Sequence, residues 1–233
     1  MRLTSRILSP AALTPAERRR MYALMRRHYA GVSRAGFERD LAEKDWVLLL
    51  SDVQGEVQGF TTLMLLEAEV EGRTVHALFS GDTIVDKAYW GEPTLARAWA
   101  AFALSLADEV PGPLYWFLIS KGYRTYKLLP LYFQDYHPRP DAPLPPQTAA
   151  IMAALAERKY PGCYDPRRGL LRFARRKDRL RPELAAIETR RLKDPHVRFF
   201  LERNPGYAQG DELVCLARIS RDNFKRWLRA FGA

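Results

Sequence analysis

Residues able to move protons gather on one short segment, Thr74–Val85. Side chains alternate faces along an extended chain, so His76, Ser80 and Asp82 share one side unless Gly81 makes a bulge. A histidine or a carboxylate placed there can take a proton from a bound nucleophile, and the histidine has the ordinary pKa nearer neutrality. The three do not make a hydrolytic triad. Successive positions on one face of a strand lie ~7 Å apart, and a nucleophilic serine sits at a sharp elbow of the G-x-S-x-G kind. Farther along, Tyr123 and Tyr126 fall in the segment GYRTYK. A phenol there can protonate a leaving group, or it can pack as core on an amphipathic helix. Cys163 and Cys215 lie far apart and match no Cys/His ligand spacing, so neither a metal site nor a disulfide framework is expected.

These groups need elements to hold them. Thr14-Pro15-Ala16-Glu17 reads as a capping box with proline at the first helical position, opening a helix to about Tyr29. A short strand over Leu3–Leu8 precedes it, and Ser33 caps a second helix through Phe37 and Leu41. Strands Trp46–Leu50, Val57–Ala68 and Thr74–Val85 follow, joined by short glycine-containing turns that suit an antiparallel meander. Next come a helix over Pro93–Glu109, a Pro111-Gly112-Pro113 break, a strand at Leu114–Ile119 and a helix at Gly122–Phe133. The proline-rich stretch Pro138–Pro146 is an extended connector. Helices are expected near Gln147–Arg158, Pro182–Arg190 and Pro195–Arg203, then a strand at Glu212–Ile219 and a last helix at Arg221–Phe231. The chain divides into a core, 1–137, and a connector with a basic extension, 138–233, that packs on the core and adds a last strand and helix.

The 233 residues carry a net charge of +10, with 47% hydrophobic and 12% aromatic residues, enough for a full core. No continuous apolar run suggests a signal peptide or a membrane span, so a cytoplasmic protein is expected. Much of the positive excess lies between Tyr160 and Arg203, including Arg167, Arg168, Arg172, Arg175, Arg176, Lys177, Arg179, Arg181, Arg190, Arg191 and Lys193. It is either a solvated face or a surface for an anionic or acidic partner. Asp211 and Glu212, after the Asn204-Pro205-Gly206 stop, form either an acidic patch for a cation or an ordinary corner. Phe60, Met64, Phe79, Trp116 and Phe117 either fill the core or line a long tunnel.

The junction ALFSGDTIVDKAYWG, Ala77–Gly91, runs a buried strand through a turn into a helix, where a strand edge and a helix's positive end can meet one ligand. With the strand and helix of Leu114–Phe133, this order resembles the GNAT superfamily of N-acetyltransferases: an α/β (α+β) fold with a mixed, mostly antiparallel central sheet, flanking helices and here a C-terminal helical elaboration. In that family the loop after the fourth strand resembles R/Q-x-x-G-x-G/A and holds the cofactor pyrophosphate. Gly91 matches one glycine of the pattern, while Trp90 stands at the usual arginine and Pro93 at a second glycine. Pro93 donates no N–H, and Glu92 suits the helix start but repels a phosphate.

The resemblance implies an acyltransferase moving an acyl group, acetyl or longer, from a CoA or carrier-protein thioester to an amine acceptor, a small molecule or a peptide. The donor is acyl-CoA or an acyl-phosphopantetheine on an acidic acyl carrier protein. It places cofactor contacts at Ile84, Val85, Asp86, Lys87, Tyr89, Trp90 and Gly91, with Arg97, Ser120 and Lys121 beside them. Asp82 or His76 is the base, and Tyr126 or Tyr123 the acid. The alternatives are a basic nucleic-acid-binding protein and a non-catalytic acyl-donor binder.

Overall fold

The computed structural model describes residues 2–173 and 178–229. Its β-branched and aromatic segments form β1 (Thr4–Leu8), β2 (Trp46–Ser51), β3 (Val57–Val70), β4 (Arg73–Val85), β5 (Leu114–Ser120), β6 (Tyr164–Asp165), β7 (Leu170–Leu171) and β8 (Glu212–Ile219). They make one sheet in the order β1-β2-β3-β4-β5-β8-β7-β6. Every pairing in it is antiparallel except β4 with β5. A parallel pair needs a crossover, supplied by α3 (Thr94–Glu109). The mixed, mostly antiparallel sheet is the one expected.

Helices cover both faces. On one side α1 (Pro15–His28) and α2 (Arg34–Ala42) bury Met21, Leu24, Phe37 and Leu41 against Phe60 and Ile84. Farther along the same side α6 (Pro146–Lys159) packs Ile151 and Leu155 on Phe79 and Phe117. On the other, Trp99 of α3 meets Trp116, with ring centroids 4.6 Å apart, in a cluster that includes Tyr132, Phe133 and Phe224. Both expected caps are present. Thr14 Oγ1 accepts from the Glu17 amide at 3.2 Å while Glu17 accepts from the Thr14 amide at 2.7 Å, and Ser33 Oγ accepts from Gly36. The five aromatic and sulfur residues weighed as a tunnel are core: Phe60 and Phe117 are wholly buried, Phe79 and Trp116 nearly so, and Met64 packs against the α6 cluster.

The long helix expected over Gly122–Phe133 is two short ones, α4 (Tyr123–Tyr126) and α5 (Leu128–Tyr132). Pro130 has no N–H to offer the carbonyl of Tyr126 and its ring crowds that carbonyl, so the ladder restarts at Lys127. The helix expected over Pro182–Arg190 stops early, as α7 (Pro182–Ala185), and a 3-10 turn takes Thr189–Lys193. Then α8 covers Pro195–Arg203, and Arg226–Arg229 is a helical turn, α9. Phe231, the expected end of the last helix, lies outside the described residues. A small pair, Tyr29–Ala30 with Arg179–Leu180, ties the end of α1 to the basic segment.

Two irregularities of β4 open a cleft in the sheet. The register with β3 slips between Thr61 and Leu63, so that Gly81 and Asp82 together face Thr62, a bulge. The Asp82 amide donates to Thr62 Oγ1 at 3.0 Å. Glycine is needed here because a Cβ would fall 2.5 Å from Thr62 Oγ1 and 2.9 Å from Lys44 Cε. Gly81→Ala is therefore expected to cost about 1–3 kcal/mol through overpacking, read as a melting temperature lower by roughly 2–4 °C per kcal/mol. Secondly, pairing of β4 with β5 ends at Ser80↔Leu118, although β4 runs on to Val85. Beyond that point β5 stays with β8, which it pairs from Leu114↔Ile219 to Ser120↔Leu213. The two strands part.

Candidate active site

Where β4 and β5 part, two cavities meet. One, of about 320 Å³, lies toward α2 and is bordered by Asp40, Asp82, Tyr160, Asp178 and Glu212. The other, of about 580 Å³, lies toward the start of α3 and is bordered by Tyr89, Trp90, Leu95, Tyr123, Leu128 and Trp227. Tyr29, Thr83 and Thr125 line both. The first wall is charged and the second largely apolar and aromatic.

The bulge decides which side chains reach this place. Before it, Ser80 sits on the α3 face, where its Oγ accepts from Trp116 Nε1 at 2.8 Å. After it, Ile84 packs with Phe60 and α1 on the opposite face, and Asp82 turns with it into the first cavity. His76, Ser80 and Asp82 therefore do not share a face, which corrects the alternation expected without a bulge. His76 is paired in register with Leu114, well before the strands part. It is buried, its Nε2 is 3.3 Å from Glu67 Oε1, and it borders neither cavity. Histidine is thus removed as the base. Asp82 remains, and burial, reinforced by Asp40 and Asp178 against Lys121 and Lys44, pushes its carboxyl up to about 7. Taking a carboxylate out of water disfavours its charged form.

Among the expected acids, Tyr126 is excluded by its surroundings. It is fully buried among Tyr136, Phe199 and Phe200, and its hydroxyl donates to the Pro138 carbonyl at 2.9 Å. Burial first holds its phenol far above the usual range. Tyr126→Phe is expected to leave turnover unchanged and to cost about 1 kcal/mol by orphaning the carbonyl, measurable by thermal denaturation. Tyr123 does border the apolar cavity, with the Arg124 guanidinium 4.9 Å from its ring centroid. Tyr29, which no spacing singled out, stands at the junction of the cavities. Burial raises its phenol, so it keeps its proton at neutral pH.

The loop after β4 departs from a phosphate cradle more than its letters suggest. The Glu92 carboxylate accepts from the Thr94 amide at 2.9 Å and from Thr94 Oγ1 at 2.6 Å, so the chain itself occupies the start of α3. Asp86 caps the Lys87–Tyr89 turn through the Ala88 amide and pairs with Arg27 at 2.8 Å. Lys87 is exposed, with Nζ 6.0 Å from the Trp90 ring centroid. Arg97 is exposed on α3 and does not border the cleft. Ser120 is buried and donates to the Gly122 carbonyl. Lys121 faces the charged cavity instead, 2.6 Å from Asp178 and 3.3 Å from Glu212. Burial opposes its charge, yet Glu212 and Asp178 outweigh that and hold its ammonium above the ordinary value. Ile84, Val85, Tyr89, Trp90 and Gly91 do line the apolar cavity.

The strand edge between the cavities is open. The Asp86 amide donates to Gln58 on β3, and alternation then directs the N–H and C=O groups of Thr83 and Val85 to the other side, where β5 has left. There the Trp90 indole donates to the Val85 carbonyl at 2.9 Å. Of the basic segment, Arg172 pairs with Asp211 at 3.3 Å, Arg190 pairs with Glu188, and Arg181 donates to the Arg26 carbonyl. Arg175, Arg176 and Lys177 lie outside the described residues. No helix among those described is long and apolar enough to cross a membrane.

A central parallel pair, splayed after a bulge, lies within an otherwise antiparallel sheet. The sheet, mixed and mostly antiparallel with helices on both faces, has the architecture that the resemblance implies. No family model and no curated protein matches the chain. Among solved structures it is similar to a GNAT family N-acetyltransferase from Escherichia coli in complex with CoA, at 21% identity and a TM-score of 0.37, over 52% of this chain and 63% of that one. It is also similar to a probable N-acyltransferase from Enterococcus faecalis, at 15% identity and a TM-score of 0.41, over 57% of this chain and 33% of that one. An acetyltransferase from Trypanosoma brucei matches at 17% identity and a TM-score of 0.38, over 60% of this chain and 99% of that one. The chain thus spans under two thirds of the length of the first two. These likenesses concern fold; the chemistry rests on the cavities.

Proposed function

We propose that this protein transfers an acyl group from a thioester to an amine. The observation that carries the reading is the meeting of an apolar cavity and a charged one at Tyr29, Thr83 and Thr125, beside an unpaired strand edge. A pantetheine arm is an extended chain with amides, and an open strand edge receives such a chain by backbone hydrogen bonds. The thioester carbonyl would then lie by the N–H groups of Thr83 and Val85, which stabilise the oxyanion. From the charged side the amine enters as an ammonium and gives a proton to Asp82. Its nitrogen then bonds to the carbonyl carbon, the C–S bond breaks, the sulfur takes a proton from Tyr123 or Tyr29, and the phenolate regains one from the newly bonded nitrogen, which leaves a neutral amide.

The donor's apolar part does most of the binding in this reading. Glu92 fills the helix start, so a diphosphate gains little there. Trp90, Leu131 and Trp227 expose large apolar surfaces and all border the apolar cavity. An acyl chain longer than acetyl, on CoA or on a carrier's phosphopantetheine, suits this wall. Thermal-shift measurements with acetyl-CoA, a long-chain acyl-CoA and an acyl carrier protein test it. A donor at a hundredfold its Kd adds about 2.7 kcal/mol of stability, and the long-chain donors are expected to protect at lower concentration than acetyl-CoA. No protection by any of the three would overturn the reading.

A further inference from the structure

The apolar cavity has one arginine in its wall. Arg124 borders it beside Tyr123 and Trp90. Its guanidinium lies 4.9 Å from the Tyr123 ring centroid and 5.2 Å from that of Trp90, and its Nη1 donates to the Leu184 carbonyl at 2.8 Å. Two rings and a carbonyl hold the planar head in place. A guanidinium has five N–H donors, and that carbonyl takes one. No carboxylate among the described residues lies within ion-pair distance of Arg124. Glu188, which feels its charge, is already paired with Arg190. Lys87 stands by the same indole, exposed, with Nζ 6.0 Å from the ring centroid. A fixed guanidinium with free donors and no counter-ion, at the rim of an apolar space, matches the planar, bidentate recognition of a phosphate.

The loop after β4 does not offer this. Glu92 already occupies the start of α3, and Asp86 beside it is a second carboxylate, paired with Arg27. We propose that Arg124, from the β5 side of the cleft, receives the phosphate at the end of the donor's pantetheine arm, and that the nucleotide of a CoA gains no further hold. The inference rests on the transfer reading and assigns the part of the donor that the reading left without a partner. An arm extended along Thr83 and Val85 leads toward Trp90, whose indole meets the Val85 carbonyl. CoA and a carrier protein both present a phosphate there.

Calorimetric titration of the full chain with S-dodecanoyl pantetheine, S-dodecanoyl phosphopantetheine and dodecanoyl-CoA, with no amine present, decides the matter. The acyl group is the same and only the far end differs. The phosphopantetheine is expected to bind at least about tenfold more tightly than the pantetheine, which is about 1.4 kcal/mol. The CoA is expected within about threefold of the phosphopantetheine. Arg124→Gln is expected to bring the phosphopantetheine down to the level of the pantetheine and to leave the pantetheine itself unchanged, which a general loss of structure would not do. If that variant fails to fold, Arg124→Lys serves, since it keeps the charge but not the fork, and the preference should shrink. A dodecanoyl carrier protein completes the series. Binding tighter than the CoA names the carrier as the source of the phosphate, otherwise the source is CoA, and either upholds the site. Equal binding of pantetheine and phosphopantetheine, a CoA about tenfold tighter than phosphopantetheine, or a preference unmoved by Arg124→Gln overturns the proposal and leaves the transfer reading in place. A phosphate preference that depends on Arg124, with no acyl transfer to any amine, upholds the proposal and sinks that reading. No binding of any donor overturns both.

Discussion

Asp82→Asn is expected to lower kcat by roughly 10²–10⁴-fold, the range for loss of a positioned proton acceptor, while leaving the fold intact. The carboxyl accepts the amine's proton only when ionised, and burial with Asp40 and Asp178 nearby puts its pKa at about 7. Activity of the unaltered protein should therefore fall as the pH drops through about 7, and kcat/KM against pH shows that inflection. In the asparagine variant the inflection disappears.

Stability moves in the opposite sense. Because the folded pKa is raised above the unfolded value, the folded chain binds the extra proton between the two. The stabilisation is complete below the unfolded carboxyl pKa of about 4 and is lost as pH rises through about 7. An asparagine in place of Asp82 carries no such penalty, so the variant should melt higher than the unaltered protein at about pH 8, by on the order of 1 kcal/mol after loss of the attraction to Lys121 and Lys44, and show no advantage below about pH 4. A variant both slower and more stable at alkaline pH marks a group whose charge serves chemistry while it weakens the fold. Equal turnover by the two proteins would remove Asp82 from the mechanism.

Lys121→Met is expected to be the most damaging single change to stability. Its ammonium lies 2.6 Å from Asp178 and 3.3 Å from Glu212, with side-chain exposures of 16%, 20% and 5% in that order. Removing one partner of a mostly buried ion pair leaves the others uncompensated, at a cost of about 3–5 kcal/mol. At roughly 2–4 °C per kcal/mol for a chain of this size, the melting temperature should fall by at least about 6 °C. Part of the loss is expected to return at acidic pH, because protonation relieves the stranded carboxylates. A loss under about 1 kcal/mol, the range of an exposed pair, would mean that solvent screens the trio.

Much of the core could be read from letters alone. Thr14 with Glu17, and Ser33, marked the helix starts because caps act within one turn. The glycine turns marked the meander, and the segments Thr74–Val85 and Leu114–Ile119 marked the central strands. Pro130 was in plain view too, and a proline at that place breaks a helix. Asp82 was reachable, and Gly81 signalled the bulge that would turn it. Tyr126 misled because an aromatic on an amphipathic helix reads alike whether it meets solvent, ligand or core. Glu212 offered one signal, a carboxylate at the start of an otherwise apolar strand.

What decides the site acts across the chain. Lys121 meets Asp178 over a separation of 57 residues, Tyr29 joins the site through its pairing with Leu180, and Glu92 takes the helix start that a phosphate would need. Strand periods, caps and turns are local, so neighbouring letters dictate the order of elements and, through it, the parallel central pair. Which face Asp82 occupies, which phenol reaches the junction and which carboxylates border the charged cavity depend on one slipped residue in the β3–β4 register and on how far β5 swings away. Those are packing outcomes, settled where distant segments compete for the same space.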